Sequence, residues 1–412
     1  WVDIELTTKP ESLDLIKKKM ECKMLNKKEL EEIIKDIVKN RLTEAEIAYF
    51  VSSVYKCGMS LKETVNMTKA IVDSGKKLNL KGKVIDKHSI GGIPGRTTPI
   101  IVPICSSLGL KMPKTSSRAI TSPAGTADSL EVICKVDFSI PEMKKIIKKT
   151  NACMVWGGSL NLAPADDKII QVEKLLNLDP EPQLLASIIA KKLAVDANCI
   201  LIDIPYGKNA KVSKYKAKKL EKKFKKLAKY FKIKILCDLK EVKEPLGNGI
   251  GPALEMRDAI KVLRREDSCH LLEKRSLELS GKLLEMAGKA KKGSGFKLAK
   301  KILDSGLAYK KFLEIIQAQK GNLHKLKKEA KYKYPIKTKI TGKIKEIEIQ
   351  KLNMLARIAG CPLDKFAGIY LHKHLNEKVK KGDTILTIYS ESKKELKEAV
   401  KYYKKTKPIK FK

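Results

Sequence analysis

The sequence predicts a fold class of α/β plus all-α, arranged as a helical domain, a large α/β domain and a C-terminal α+β region. Three observations carry this expectation. Residues 10–75 repeat their apolar positions at helical spacing; short apolar runs at 83–86 and 199–204 read as strands leading into helices; and from Tyr334 onward the pattern shortens into strands broken by turns. With 412 residues the chain is long enough for two or three domains, each with its own core.

Taken in order, Leu13, Ile16 and Met20 mark a first helix, Leu30, Ile33, Ile34, Ile37 and Val38 a second, and residues 43–55 a third, with Gly58 and Gly75 as punctuation. A Gly-rich loop follows the run at 83–86 and leads into an apolar, helix-like stretch from Ile100. Another helix is expected to begin at Asp179-Pro180, because Asp is a good N-cap and Pro suits the first helical position. Leu184, Leu185, Ile188, Ile189 and Leu193 then form its apolar stripe. Residues 199–204 read as a buried strand, 233–237 continue the alternation, and 254–318 are helical. Residues 379–386 look like the half-barrel of biotinyl or lipoyl carriers. They lack the Met-Lys-Met attachment turn, which favours a structural role. The chain begins at Trp1, and Val2 to Leu6 alternate like the end of a strand. Residues 1–8 are therefore expected to be the remnant of a missing N-terminal domain or linker.

The net charge of +40, from 87 Lys and Arg against 47 Asp and Glu, raises the question of nucleic acid. Most of the excess is Lys in stretches such as 211–229 and 325–333, read as solvated helical faces, with little of the aromatic interleaving that stacks bases. A Lys-rich surface without a specific nucleic-acid site is the expectation, and its field attracts anionic substrates. The nine cysteines are scattered and never form Cys-x-x-Cys, so neither a disulfide framework nor a zinc site is indicated. A reducing cytoplasm fits that usage. No apolar run reaches bilayer length, so no membrane partner is expected.

Chemistry concentrates in two segments. The first is Asp86-Lys87-His88-Ser89-Ile90-Gly91-Gly92-Ile93-Pro94-Gly95-Arg96-Thr97-Thr98, where glycines admit close backbone approach and hydroxyls, amides and a helix N-terminus favour an anion. It is not a Walker loop. A tight turn would account for the glycines alone. The second, from Lys114 to Glu131, gathers seven hydroxyls around Arg118 before an acidic helix start. Two donor-rich turns at consecutive strand ends would face one crevice of a parallel sheet.

Lys-His-Ser-x-Gly-Gly followed by Ser-x-Arg-x-x-x-x-x-x-Gly-Thr-x-Asp-x-x-Glu resembles the thymidine and pyrimidine nucleoside phosphorylases, with the nucleoside phosphorylase type II-like fold that this implies. The likeness covers nearly the whole chain, including residues 186–192, the strand with Asp203 and the C-terminal Gly-Ile-x-Leu-His region. Two departures matter. Where those enzymes typically carry Leu-Gly-His-Thr, this chain has Ile120-Thr121-Ser122-Pro123, and Val172 stands where they place an Arg that holds a pyrimidine. The Ser-Ser-Arg-Ala-Ile-Thr-Ser-Pro-Ala-Gly-Thr-Ala-Asp version is similar to the archaeal AMP phosphorylase branch, which has an extra N-terminal assembly domain. Thr121 and Ser122 add small donors suited to a 5′-phosphate.

The resemblance implies a helical, base-side domain of residues 9–75 and 164–195. It implies an α/β phosphate domain of 76–163 and 196–330, and a C-terminal region of 331–412. Lys87, His88, Ser89, Thr98, Ser116 and Thr126 would hold the attacking phosphate. Gly91, Ser117, Arg118, Ala119, Ile120, Thr121, Ser122, Thr126, Ser187, Lys191 and Lys211 would line the nucleotide. Asp179 would donate a proton to the leaving base, although an N-cap explains it without catalysis. Ser187 and Lys191 share a helix face, and helix packing beside a snorkelling Lys would also account for them. His372 and His374 share one face of a strand, but two His without a third ligand do not make a metal site.

The reaction implied is AMP plus phosphate giving adenine plus ribose 1,5-bisphosphate, extending to CMP and UMP. It needs no metal and no organic cofactor, and a homodimer or higher homo-oligomer is expected. The rivals are a pyrimidine nucleoside phosphorylase, a phosphoribosyltransferase and a basic RNA-binding protein on an inactive phosphorylase scaffold.

Overall fold

A computed structural model of the chain describes residues 9–119, 122–267 and 269–412. The proposed remnant at 1–8 lies outside the described residues. The chain divides into two units: one holds residues up to Lys81 with 160–197 and 223–232, the other 82–159, 198–222 and 233–412.

In the first unit, helices Ser12–Met20, Lys27–Val38, Glu44–Cys57 and Leu61–Asp73 precede Pro164–Leu176 and Glu181–Ala194. Local sequence starts three of them. Asn26 with Glu29, Thr43 with Glu46, and Ser60 with Glu63 each form a capping box that satisfies the first free amides. Leu30, Ile33, Ile37, Phe50, Val54 and Ile71 are fully buried between the helices, joined by Ala165, Ile169 and Ala186. Cys22 and Cys57 form a disulfide, with Cα atoms 5.1 Å apart. This corrects the expectation from cysteine usage: the partners are 35 residues apart, and only the packing of helices brings them together. The other seven cysteines are buried thiols outside any disulfide.

The expected start at Asp179-Pro180 is also corrected. The N-cap of helix Glu181–Ala194 is Pro180, whose side chain makes no capping hydrogen bond. Pro180 supplies its carbonyl to Leu184 N–H, and with Pro182 inside the first turn the helix begins one residue later than an Asp cap would place it.

The second unit is built on parallel strands β1 (Ile85–Ser89), β2 (Met112–Ser116), β3 (Ala152–Trp156), β4 (Cys199–Tyr206) and β5 (Lys234–Glu241). β1, β4 and β5 pair in that order, β2 pairs with β3, and a parallel bridge from Val84 to Lys111 joins the two sets. The order across the sheet is therefore β3-β2-β1-β4-β5. β1 is the strand at which successive additions change direction, so its carboxyl end is where an open α/β sheet offers a crevice. Seven of the eight β4 residues are buried, as a central parallel strand requires. Helices Thr98–Ser106, Pro252–Arg264, His270–Met286 and Leu307–Ala318 contribute most of the apolar cover.

The last third of this unit holds a sheet that includes Tyr332–Lys337, Gly368–Leu371 and Thr384–Ser390, with its own core of Ile344, Leu352, Ile369, Leu386 and Ile388. Of the lysines at 325–333, read as a helical face, Lys325 and Lys327 lie instead on a short 3-10 turn, Leu323–Lys327, and Lys333 on a strand, Tyr332–Lys337. Pro335 and the alternation of Tyr and Lys override the weak helical pattern there.

Candidate active site

The carboxyl end of β1 carries the first loop. Strand alternation puts Lys87 and Ser89 on one face and His88 on the other. The parallel register sets Ser89 against Asp203 and Asp203 against Asp238. Lys87 is 4% exposed, with its Nζ 3.1 Å from Thr97 Oγ1 and 3.5 Å from an Asp203 oxygen. Arg275 binds both Asp203 and Asp238, and Lys282 also binds Asp238. On β2, Lys114 is buried with its Nζ 3.8 Å from Asp86. A belt of alternating charge therefore crosses the sheet below the loops. Burial lowers the Lys87 ammonium below its ordinary value; Asp203 opposes this, while Arg275 and Arg96 add to it. An arriving anion would restore the proton's hold.

Gly91 has φ +85° and open space where a side chain would sit, so a ligand can approach its backbone directly. Its N–H lies 3.4 Å from Ser89 Oγ. Thr98 is buried in the first turn of the helix Thr98–Ser106, which Thr97 leaves without a side-chain cap. The Thr98 amide that opens that helix is a donor suited to an anion; Pro99 has no N–H, and the Ile100 and Ile101 amides donate to the Thr97 carbonyl. Lys211 packs on the same loop: a Cβ on Gly92 would sit 3.3 Å from the Lys211 Cβ.

The second turn follows β2. The Ser116 hydroxyl is buried without a hydrogen-bond partner, a cost that a bound acceptor would remove. Ser117 is exposed, Ser122 donates to the Ala124 carbonyl at 2.8 Å, and Thr126 opens the helix Thr126–Glu131. Asp128 accepts from the Ala119 and Gly125 amides at 2.7 and 2.8 Å and so fixes the turn's path. A side chain on Gly125 would meet the Ser117 carbonyl at 2.5 Å, so only glycine fits. Ile120 and Thr121 lie outside the described residues.

Arg118 is placed otherwise than expected. It makes a bidentate pair with Glu131 at 2.7 and 2.8 Å, lies 3.7 Å from Asp128, and stacks on Trp156 at 4.6 Å. Hydrogen bonds from Arg118, followed by those from Lys365, outweigh burial and pull the Glu131 carboxyl down to about 2. Arg118 braces the turn rather than offering a free cation.

Three contributors to these loops were not singled out from sequence. Arg96 pairs with buried Glu255 at 2.7 Å, and Glu255 accepts from the Gly95 amide at 3.1 Å. Asn353 donates to the Gly92 carbonyl at 3.4 Å. Arg96 lies within the first Gly-rich loop, and Glu255 and Asn353 are polar residues at buried helix positions.

In the helical unit, Ser187 Oγ donates to Asp166 at 2.8 Å, and Lys191 Nζ lies 2.9 Å from Asp166 and 3.3 Å from Asp167. Burial raises the Asp167 carboxyl. Burial alone would lower the Lys191 ammonium, but the two carboxylates outweigh it and hold it above its ordinary value. The two acids follow Pro164, where the first turn of Pro164–Leu176 favours negative charge. Val172 is 2% exposed within the helical core, so its position is taken by packing. Asp179 is an exposed residue just before the helix Glu181–Ala194.

His372 and His374 follow the strand Gly368–Leu371 rather than sharing its face, and they have separate partners. His372 contacts Thr387 at 2.9 Å; His374 contacts Glu244 at 2.8 Å and Asn248 at 2.7 Å. Among the described residues no group of three His, Cys, Asp or Glu is arranged to hold a metal, and no helix is long and apolar enough to cross a membrane.

Comparison with known proteins defines the class first. The glycosyl transferase family a/b domain matches residues 81–309 and that family's helical bundle domain matches 13–75; the pyrimidine nucleoside phosphorylase C-terminal domain matches 343–410. The chain is 46% identical over 415 residues to an AMP phosphorylase of Methanocaldococcus jannaschii, covering 99% of this chain and 82% of that protein. An AMP phosphorylase of Thermofilum pendens is 42% identical, with 99% and 80% covered, and one of Pyrococcus furiosus 43%, with 98% and 81% covered. The chain belongs to the AMP phosphorylase family, within the pyrimidine nucleoside phosphorylases. The fold is also that of anthranilate phosphoribosyltransferase from Thermus thermophilus, with a TM-score of 0.61 at 16% identity over 74% of this chain and 99% of that one.

Proposed function

We propose that the chain catalyses phosphorolysis of AMP, giving adenine and ribose 1,5-bisphosphate, with CMP and UMP as further substrates. The observation that carries this reading is the presence of two anion-suited turns, after β1 and after β2. A nucleoside phosphorylase needs one; a nucleotide needs a second for its 5′-phosphate. Lys87, Ser89, Gly91, Thr98 and Ser116 serve the attacking phosphate. Ser117, Ser122 and Thr126, with backbone amides of the turn that Arg118 braces, serve the 5′-phosphate. The phosphate is already a nucleophile, so the loops need only position it and offset the repulsion between two anions.

Ser187 and Lys191, organised by Asp166 and Asp167, serve the base. Asp179 is the candidate proton donor to adenine N7, which makes the purine a better leaving group as the ribose gains oxocarbenium character. What supports it is the resemblance to the archaeal AMP phosphorylases, by which this role falls on Asp179. The reaction needs neither metal nor organic cofactor, and we place it in the cytoplasm, carried out by a homo-oligomer. Family membership argues against the inactive-scaffold and nucleoside-specific readings.

The test is release of free base from AMP, CMP, UMP, adenosine and thymidine in the presence of phosphate. Release from nucleotides supports the reading, and release from nucleosides alone refutes it. Asp179→Asn should slow adenine release with phosphate affinity intact, and full retained activity would remove Asp179 from the mechanism.

A further inference from the structure

One surface of the second unit has a composition that phosphorolysis does not use. The strand Tyr332–Lys337 is the edge of its sheet, paired on one side with Thr384–Ser390. Beside it the helix Lys393–Thr406 completes a groove of about 760 Å³. Six lysines and no carboxylate line this groove. Lys393, Lys397 and Lys401 recur every fourth residue, about 6 Å apart along the helix axis, and Lys404 continues the row. Among the described residues none of these four pairs with a carboxylate, so the like charges at four-residue spacing oppose the helix they sit on. Tyr332 and Tyr334, two apart on one face of the strand, are 40% and 41% exposed, and Leu396 and Val400 complete the apolar lining.

We propose that this groove binds single-stranded RNA, with bases stacked on Tyr332 and Tyr334 and the backbone phosphates following the lysines of the helix. Exposed aromatic faces beside a cationic track are the two elements such binding needs, and a duplex would leave the tyrosines unused. An acidic protein segment would meet the lysines but has no use for two flat aromatic faces. RNA is favoured over DNA because its 2′-hydroxyls give the tyrosine hydroxyls and lysine ammoniums additional partners.

The experiment uses the full chain and a short labelled oligouridine, titrated at several salt concentrations, with phosphorolysis of AMP as the folding control. Four lysines each neutralising one phosphate predict a slope of log affinity against log salt of about −3. Tyr332→Ala with Tyr334→Ala should weaken binding at least about tenfold with little change in that slope. Lys397→Gln with Lys401→Gln should reduce the slope's magnitude by about 1.4. Both double variants should keep their phosphorolytic activity. Absent binding, or binding that neither variant alters, overturns the proposal. Equal or tighter binding of oligodeoxyuridine overturns the assignment to RNA, and tighter binding of a polyglutamate peptide overturns the assignment to nucleic acid.

Discussion

Replacing Lys87 by Gln separates the two roles that a buried lysine can have, because the structure predicts opposite sizes for them. Lys87 is 4% exposed and 3.5 Å from Asp203, and that carboxylate is also bound by Arg275. Removing the ammonium therefore does not leave Asp203 as an unpaired buried charge, and the penalty of about 3–5 kcal/mol for orphaning an ion is avoided. The folded state should lose no more than about 1.5 kcal/mol, the scale of one ordinary hydrogen bond. Phosphate, by contrast, loses a charge-assisted hydrogen bond worth about 1.5–3 kcal/mol, which raises its KM by about tenfold to a hundredfold. Arg275→Met is the control, since it breaks two buried ion pairs at once and leaves Asp203 to Lys87 and Asp238 to Lys282 alone; it should cost more than Lys87→Gln, about 3 kcal/mol. Initial rates against phosphate at saturating AMP, with thermal unfolding of each variant, measure both quantities. A Lys87→Gln protein that unfolds as early as Arg275→Met yet keeps the phosphate KM of the parent would refute the assignment and make Lys87 structural.

Other outcomes follow from the same contacts. Glu131 is held down to about 2 from 4.5, chiefly by Arg118. A depressed acid stabilises the fold fully above pH about 4.5 and loses that contribution as pH falls toward 2, so the Tm gap between parent and Glu131→Gln should close over that window. His374 runs the other way: hydrogen bonds with Cys269 and Glu244 overcome burial and hold its imidazolium up to about 10. Its contribution is full below pH 6.5 and is lost as pH rises through about 10, which Tm scans of parent and His374→Gln would follow. Asp166→Asn keeps an acceptor for Ser187 but removes the charge beside Lys191, 2.9 Å away. We expect a loss of about 2 kcal/mol in stability and a raised KM for AMP with that for phosphate unchanged. An equal rise in both would detach this cluster from base binding.

Local rules made much of the fold legible. Helical periodicity located Ser12–Met20, Lys27–Val38 and Glu44–Cys57, and the apolar run at 199–204 located β4, because burial patterns repeat within a few residues. The two loops were visible as glycine and hydroxyl clusters at strand ends. What escaped detection depended on residues distant in sequence. The sharing of Asp203 between Lys87 and Arg275 spans 72 residues on the arginine side, and the Cys22–Cys57 bond spans 35. The resemblance places Arg118 along the nucleotide; Glu131 and Trp156, which hold it, become its neighbours only when the turn and β3 come together. The start expected at Asp179-Pro180 differs for a local reason, since Pro180 is the N-cap and Pro182 lies in the first turn of the helix that opens at Glu181.

The central claim is that inorganic phosphate, and not water, takes the ribosyl group from a nucleoside 5′-monophosphate. The most direct measurement incubates AMP with the purified chain and phosphate and quantifies both products, adenine by its absorbance after separation and the sugar phosphate by phosphorus NMR. The account predicts equal amounts of adenine and ribose 1,5-bisphosphate, with release that stops when phosphate is left out. Adenine released without phosphate, or accompanied by ribose 5-phosphate, would contradict it.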